Sequence, residues 1–350
     1  MDSELSEYRW PAEWEPHSHT LLTWPQRPEL WSGRIAAVHA AYLEIIRTLS
    51  EDEAVRILVN DARTADTLRS LLRGNDIPCG PDAAVDLWVI PTNDVWIRDY
   101  GPLRLLRNDS ATPASRMIAY TFTGWGEKFP ADADNQAAGA VADRCNESFE
   151  KYSDFVLEGG AIESNGRGLL MTTEACLLHP NRNPRMNRDE IEARLKQTLG
   201  AHSVLWLPHG LPGDDTDGHV DMLARFVGEN HVISCLPEDE SHPAYADLAM
   251  NLAHLRAFRT HDGDALRVDT LPLPPLRLSP DGLPIPESHA NFYIGNGSVL
   301  VPVFNDAHTN GIALRTLQRI FPDRRVVGIP GADLILEGGG VHCMTMQIAG

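Results

Sequence analysis

Apolar residues recur along this chain in short blocks whose period alternates between that of a helix and that of a strand. Ile35, Val38, Tyr42, Ile45 and Leu49 fall at helical spacings, the stripe of an amphipathic helix, and residues 55–59 follow as a short apolar strand. A second helix over 63–73 precedes a strand over 85–90. Asn187 with Glu190 three residues on reads as a capping box before the stripe Ile191, Leu195 and Leu199, and Gly200 marks the stop. Residues 204–207 form the next strand. Helices over 243–258 and 308–321 are likewise followed by strands over 266–271 and 325–329.

Hairpins punctuate these blocks. Residues 161–163 turn at Asn165-Gly166 into 168–173, 222–227 turn at 228–230 into 232–236, and 291–294 turn at Asn296-Gly297 into 298–303. Asn-Gly pairs supply the positive backbone angles that tight hairpin turns require. One phrase also repeats: Val156-Leu157-Glu158-Gly159-Gly160-Ala161-Ile162 echoes Ile335-Leu336-Glu337-Gly338-Gly339-Gly340-Val341. The chain thus reads as helix, strand, motif, hairpin, repeated about five times at roughly 50–60 residues each, a period that suits solenoids or closed arrays. Without a flexible linker, residues 1–350 are expected to form one domain, and the Pro-rich stretch 269–286 a long ordered loop. Closure into a ring would bring residues 99, 158, 219, 221 and 343 together.

Composition narrows the partners. The 350 residues carry 30 Lys and Arg against 49 Asp and Glu, a formal net charge of −19. That argues against nucleic acid and anionic membranes, and favours small cations. Five cysteines without CxxC spacing argue against a disulfide framework or a Cys-rich zinc site and point to a reducing compartment. The first residues show no basic and apolar leader pattern, and no apolar run reaches membrane-spanning length, so a cytoplasmic protein is expected. Oligomeric state is not legible; a homo-oligomer is compatible with everything above.

The candidate chemistry centres on Cys343, which follows Gly338-Gly339-Gly340-Val341-His342. Glycines let the backbone turn tightly and leave a thiol uncrowded, whereas Cys79, Cys145, Cys176 and Cys235 read as inert, the last two inside apolar strands. His219 lies in Asp214-Asp215-Thr216-Asp217-Gly218-His219-Val220-Asp221. Read as the start of a strand, this places His219 and Asp221 on one face, where the carboxylate orients the imidazole as a proton shuttle. Asp99 follows Trp96 and Arg98 and precedes Gly101-Pro102. A carboxylate beside an aromatic wall grips a planar guanidinium by paired hydrogen bonds and stacking. A thiol, an imidazole and carboxylates make a set for covalent chemistry on a cation. The same Asp and His residues could instead cap turns, or ligate a divalent metal in a metal-dependent hydrolase, and a silent ring-shaped binding scaffold is a further reading. The glycine runs fit neither phosphate-loop pattern.

Ala12-Glu13-Trp14-Glu15-Pro16-His17, Trp96-Ile97-Arg98-Asp99-Tyr100-Gly101-Pro102, Leu157-Glu158-Gly159-Gly160, Thr216-Asp217-Gly218-His219-Val220-Asp221 and Gly338-Gly339-Gly340-Val341-His342-Cys343 together resemble the agmatine deiminase family and its bacterial-type peptidyl-arginine deiminase relatives. The resemblance runs from about Trp10 to the C-terminus. It implies an α/β fold of fivefold pseudosymmetry, the pentein propeller, with the active site on its axis. It places Cys343 as nucleophile, His219 as general acid and base, Asp99 and Asp221 as the guanidinium clamp, Glu158 as a further acidic position, and Trp96 as a pocket wall. It implies hydrolysis of agmatine to N-carbamoylputrescine and ammonia through a thiouronium intermediate, without metal or organic cofactor. Peptidyl arginine or free arginine is the alternative substrate, whose carboxylate would call on Arg98, Arg182, Arg185 or Arg225. The stretch Gly124-Trp125-Gly126-Glu127-Lys128-Phe129 runs directly into Pro130, shorter than in many agmatine deiminases, and bears on the far end of the pocket.

Overall fold

The amphipathic stripe at 35–49 does form a helix, Ile35–Leu49, which buries Val38, Ala41, Tyr42, Ile45, Ile46 and Leu49. Each large apolar side chain so buried contributes about 1.5–3 kcal/mol. The capping box is formed on both sides: the Asn187 side chain accepts from the Glu190 N–H and the Glu190 carboxylate accepts from the Asn187 N–H, at the start of helix Arg188–Leu199. Gly200 ends that helix with φ +65°, a left-handed position that glycine takes without strain.

This computed structural model describes residues 7–107 and 114–350, so the N-terminal residues read for a targeting signal lie outside it. Among the described residues the main strands form five separate sheets. Each contains an antiparallel pair followed, across a helix, by a parallel strand. Ile162–Ser164 pairs with Leu169–Thr173, and helix Arg188–Leu199 leads to the parallel strand Ser203–Leu207. Ala224–Gly228 pairs with His231–Cys235, and helix Tyr245–Ala257 leads to Arg267–Leu271. Tyr293–Ile294 pairs with Ser298–Val303, and helix Ala307–Ile320 leads to Arg325–Pro330. Leu103–Arg107 pairs with Ser115–Thr121, and helix Asp134–Cys145 leads to Phe149–Val156. In the remaining sheet the antiparallel pair joins the two ends of the chain, Thr345–Ala349 with His17–Thr23, before helix Ile35–Leu49 and the parallel strands Ala54–Val59 and Val85–Val89. The five sheets share one plan, and in the last of them the antiparallel pair is made by strands from the two ends of the chain.

Three readings are corrected. His219 and Asp221 do not begin a strand: Val220–Met222 is a single 3-10 turn with His219 at its N-cap, and the strand starts at Ala224. The period-two argument for pairing them therefore fails. Cys176 lies in the one-turn helix Glu174–Leu177, capped by Thr173, rather than in a strand. The Pro-rich stretch begins as a strand, since Asp269–Leu271 still pairs with Ile233–Cys235, and the loop starts at Pro272. No helix among the described residues is long and apolar enough to cross a membrane.

Candidate active site

The turns that follow the parallel strands carry the motifs. Trp96-Ile97-Arg98-Asp99-Tyr100 follows Val85–Val89, and its helical turn Ile97–Tyr100 is stitched to the C-terminal motif by the Arg98 N–H, which donates to the Cys343 carbonyl at 3.1 Å. Leu157-Glu158-Gly159-Gly160 follows Phe149–Val156 and packs against that same turn. The Gly160 N–H donates to Asp99 Oδ1 at 3.0 Å, and the Trp125 indole N–H donates to Asp99 Oδ2 at 2.9 Å.

Gly160 shows how tightly the groups converge. A Cβ there would lie 2.6 Å from His219 Nδ1, 2.8 Å from Asp99 Oδ1 and 3.1 Å from Asp221 Oδ2. His219 Nδ1 is 3.7 Å from Asp99 Oδ1, and its Nε2 is 4.0 Å from Glu158 Oε2. Asp221 is instead paired with His342, its Oδ2 lying 2.7 Å from Nδ1, and the same oxygen lies 3.8 Å from Cys343 Sγ. The thiol also lies 3.3 Å from Asn291 Nδ2. The carboxylates beside His219 are thus Asp99 and Glu158, not the expected Asp221.

Burial sets the charges. It raises Asp99 to about 7, with Glu158 adding to the rise and the Trp125 hydrogen bond opposing it. It pushes Asp221 well above the usual carboxylate range, helped by Asp99. It pushes the Cys343 thiol well up, again helped by Asp221 and Asp99, and holds His219 well below its usual value. Without a ligand, burial thus favours the neutral forms of Asp221, Cys343 and His219, and a cation beside the acids would oppose that.

A cavity of about 160 Å³ opens above these groups. Asp99, Trp96 and Cys343 line it; His219, Asp221 and Glu158 are fully buried, Asp221 within 3.8 Å of the lining thiol. Gly339 lies so close to Trp96 that a Cβ would come within 2.4 Å of the indole ring. Farther out, the walls are Leu30, Trp31, Phe129 and Leu336, and the carboxylates are Asp94, Asp215 and Glu337. No Arg or Lys is among the lining residues. Arg98 donates to Gln347 and Glu13, Arg225 is held by Glu163, Glu13 and the Phe292 carbonyl, and Arg182 binds Glu158 and Asp217. Arg185 is exposed and away from the cavity lining.

The metal reading of the Asp and His cluster loses its ligand set. Asp214 caps Thr216, Asp217 binds Lys128, Asn181 and Arg182, Asp215 is exposed, and Asp221 is held by His342. Among the described residues the side chains close enough to share an ion are Glu158, Cys176 and His219, with Glu158 already bound by Arg182 at 2.7 Å.

Trp125, read with its stretch as bearing on the far end of the pocket, touches Asp99 instead, and Asn291, which carries no role in the sequence reading, touches Cys343. The signal for Trp125 is its glycine-flanked position: Gly124, Trp125, Gly126 and Glu127 all have positive φ, a contortion that swings the indole onto Asp99. Asn291 has no local signal.

The chain matches the family model of the Porphyromonas-type peptidyl-arginine deiminases over residues 9–349. It belongs to this family. Among curated members of similar sequence, the agmatine deiminase of Stutzerimonas stutzeri is 35% identical over 97% of this chain and 95% of its own length, and that of Ectopseudomonas mendocina is 34% identical over the same shares. The solved agmatine deiminase of Enterococcus faecalis superposes with a TM-score of 0.88 at 28% identity, covering 98% of this chain and 96% of that one. A cysteine-to-serine variant of the C. jejuni agmatine deiminase with substrate bound gives 0.86 at 27% identity over the same shares. In this peptidyl-arginine deiminase family member, the mixed α/β fold is that of these deiminases.

Gly160→Ala places a methyl group among Asp99, His219 and Asp221 without touching the apolar cores. Displacing reacting groups by about 1 Å typically costs about 100-fold in rate. Turnover should fall by at least that factor while the circular dichroism spectrum stays native; activity within threefold of the parent would refute the convergence described.

Proposed function

We propose that this chain is a guanidinium deiminase that converts agmatine and water to N-carbamoylputrescine and ammonia. The observation that carries this reading is the cavity itself: a thiol at its floor, carboxylates along its length, and no basic side chain on its lining. A substrate cationic at both ends gains from that field at both ends, whereas the α-carboxylate of arginine would be repelled by it. The names of the relatives support the same substrate, and that of the matching family model keeps peptidyl arginine as the alternative.

In this reading the guanidinium binds between Asp99 and Asp221 with Trp96 as its wall. Its charge reverses the local field, so the Cys343 proton passes to His219, whose neutral ring is free to accept it. The thiolate attacks the guanidinium carbon and the C–S bond forms. His219 returns the proton to the departing nitrogen and ammonia leaves. Water then adds to the thiouronium carbon, its proton taken by His219, and the C–S bond breaks to give the ureido product and regenerate the thiol. Glu158 supports the imidazolium from behind, itself held by Arg182. The steps need no metal or organic cofactor. The five sheets fit five units set around a pseudosymmetry axis, a pentein propeller within one catalytic domain, with the motif-bearing turns facing that axis.

Three tests apply. Cys343→Ser should lower turnover by several orders of magnitude, because a hydroxyl near neutral pH is far less nucleophilic, and a haloacetamidine should label Cys343 alone. Labelling at Cys176 or Cys235 with Cys343 untouched would sink the assignment. The kcat/KM values for agmatine, arginine and an arginyl peptide should rank agmatine first by tenfold or more; a peptide or arginine preference of that size would make the substrate wrong and leave the chemistry standing. Asp99 is neutral below and anionic above about 7. Agmatine affinity should therefore strengthen as pH rises from 6 to 7.5 and then level. Asp99→Asn should abolish that slope and weaken binding about ten- to a hundredfold, the worth of a charged hydrogen bond or two; calorimetry in a Cys343→Ala background reads both.

A further inference from the structure

His342 is buried, touches no part of the cavity and bridges two carboxyl groups: Nδ1 to Asp221 Oδ2 and Nε2 to Glu13 Oε2, each 2.7 Å. A contact that short needs a proton between the two atoms. A neutral imidazole offers only one N–H, so with both carboxylates ionised one contact would set lone pair against lone pair. The trio therefore holds two protons. Glu13 is ionised: burial opposes its charge, but Arg225, His342 and Arg98 together keep it well below the usual carboxylate range. One proton thus sits on Nε2, aimed at Glu13. The second lies on the short line between Asp221 Oδ2 and His342 Nδ1.

Its place there depends on what else faces the pair. Around His342 stand Glu13 from the N-terminal segment, Arg98 and Asp99 from the turn after Val85–Val89, Asp221 from the 3-10 turn, Arg225 from Ala224–Gly228 with Glu163 behind it, Asn291, Gln347, and the neighbouring Cys343. Burial and then Arg225 and Arg98 disfavour a charge on His342 against the pull of Glu13, and burial with Asp99 disfavours one on Asp221 against the pull of the same arginines. Without a ligand the proton belongs on Asp221. A guanidinium between Asp99 and Asp221 reverses that balance, because it stabilises the Asp221 anion at contact distance.

We propose that His342 takes the proton of Asp221 when a guanidinium enters: the Asp221 Oδ2–H bond breaks, a His342 Nδ1–H bond forms, and no proton leaves the buried site. Asp221 then meets the substrate as a carboxylate without waiting on solvent. His342 acts through Asp221, as a positioning and proton-holding residue with Glu13 fixing its tautomer. The inference rests on the guanidinium reading above but not on agmatine being the substrate.

The test uses the full chain with Cys343→Ala, so that ligands bind without turnover. In ¹⁵N-histidine spectra, with the His342 ring assigned through its couplings to its own backbone resonances, the ring should be neutral and Nε2-protonated without ligand, and doubly protonated when saturated with agmatine, methylguanidine or guanidinium chloride. At pH 8, where Asp99 is already ionised, calorimetry in buffers of different ionisation enthalpy should show almost no proton released per agmatine bound. Adding His342→Gln should raise the release to about one, with affinity rising about tenfold per pH unit, as one linked proton requires. A ring that stays neutral on saturation, or is already doubly protonated without ligand, overturns the proposal, as does equal proton release by the two proteins. The spectra decide if the double variant does not fold. Binding of guanidinium chloride but not agmatine would overturn the substrate alone, and a protein that binds no guanidinium cation would overturn both.

Discussion

Everything at this site depends on keeping several acidic groups dry and close together around one glycine. At separations near 4 Å, two like charges in a protein-like dielectric repel by about 4 kcal/mol, so the arrangement stands only if most of them are neutral or matched by a donor. Each acid is matched from another part of the chain. Asp99 has the Gly160 N–H and the Trp125 indole, Asp221 has His342, and Glu158 has Arg182. Both ring nitrogens of His219 and Asp221 Oδ1 remain without hydrogen-bond partners, although fully buried. Such atoms cost stability, and natural proteins keep them where a ligand is to complete the set.

Beneath this layer lies a second one of opposite purpose. Arg98 and Arg225 share Glu13, whose carboxylate also takes His342 and the Ile294 N–H. Residues from the two ends of the chain and from its middle thus meet on one carboxylate. Replacing such a network wholesale with apolar groups is often neutral for stability, but removing one member strands a buried charge at about 3–5 kcal/mol. Its consequence here is register. The backbone link from Arg98 to Cys343, and the Thr345–Ala349 pairing with His17–Thr23, hold the Cys343 loop against the Asp99 turn. Arginines that could have greeted a substrate carboxylate are consumed in this task, which is why the cavity keeps its acidic character.

The sequence made legible whatever is encoded locally. Asn-Gly turns, the Asn187 capping box and the helical stripe at 35–49 act over a few residues, and the repeated Glu-Gly-Gly phrase marked two turns that border the clustered groups and the cavity. Helix Asp134–Cys145 and strand Phe149–Val156 escaped, because the helix face is built of alanines and the strand lies at a sheet edge where Phe155 alone is buried. The structure brings Asp99, His219, Asp221 and Cys343 together, but with one pairing other than the one expected. A strand would have put His219 beside Asp221; the 3-10 turn instead leaves His219 to Asp99 and Glu158 and gives Asp221 to His342. Glu13, Trp125 and Asn291 are partners across the fold, and no local pattern announces a contact made 329 residues away, as between Glu13 and His342.

Charge and shape divide the work of selection along the cavity. At the floor, burial favours the neutral forms of Asp221 and Cys343, and a cation beside them would favour the anions instead. Along the walls, Leu30, Trp31, Phe129 and Leu336 suit a short methylene chain and add no directional demand. At the far end, burial raises Asp94 to about 6, and nearby Glu337, held by Arg34, adds to that rise, so a cation arriving there meets groups close to ionisation. A carboxylate in the same place would have to desolvate against them with no basic partner on the wall. A neutral amide, as in a peptide, would incur no such repulsion and gain no attraction. The field therefore separates a dication from arginine by repulsion, but from a peptide only by the absence of a reward, and the shape of the apolar lining must do the rest.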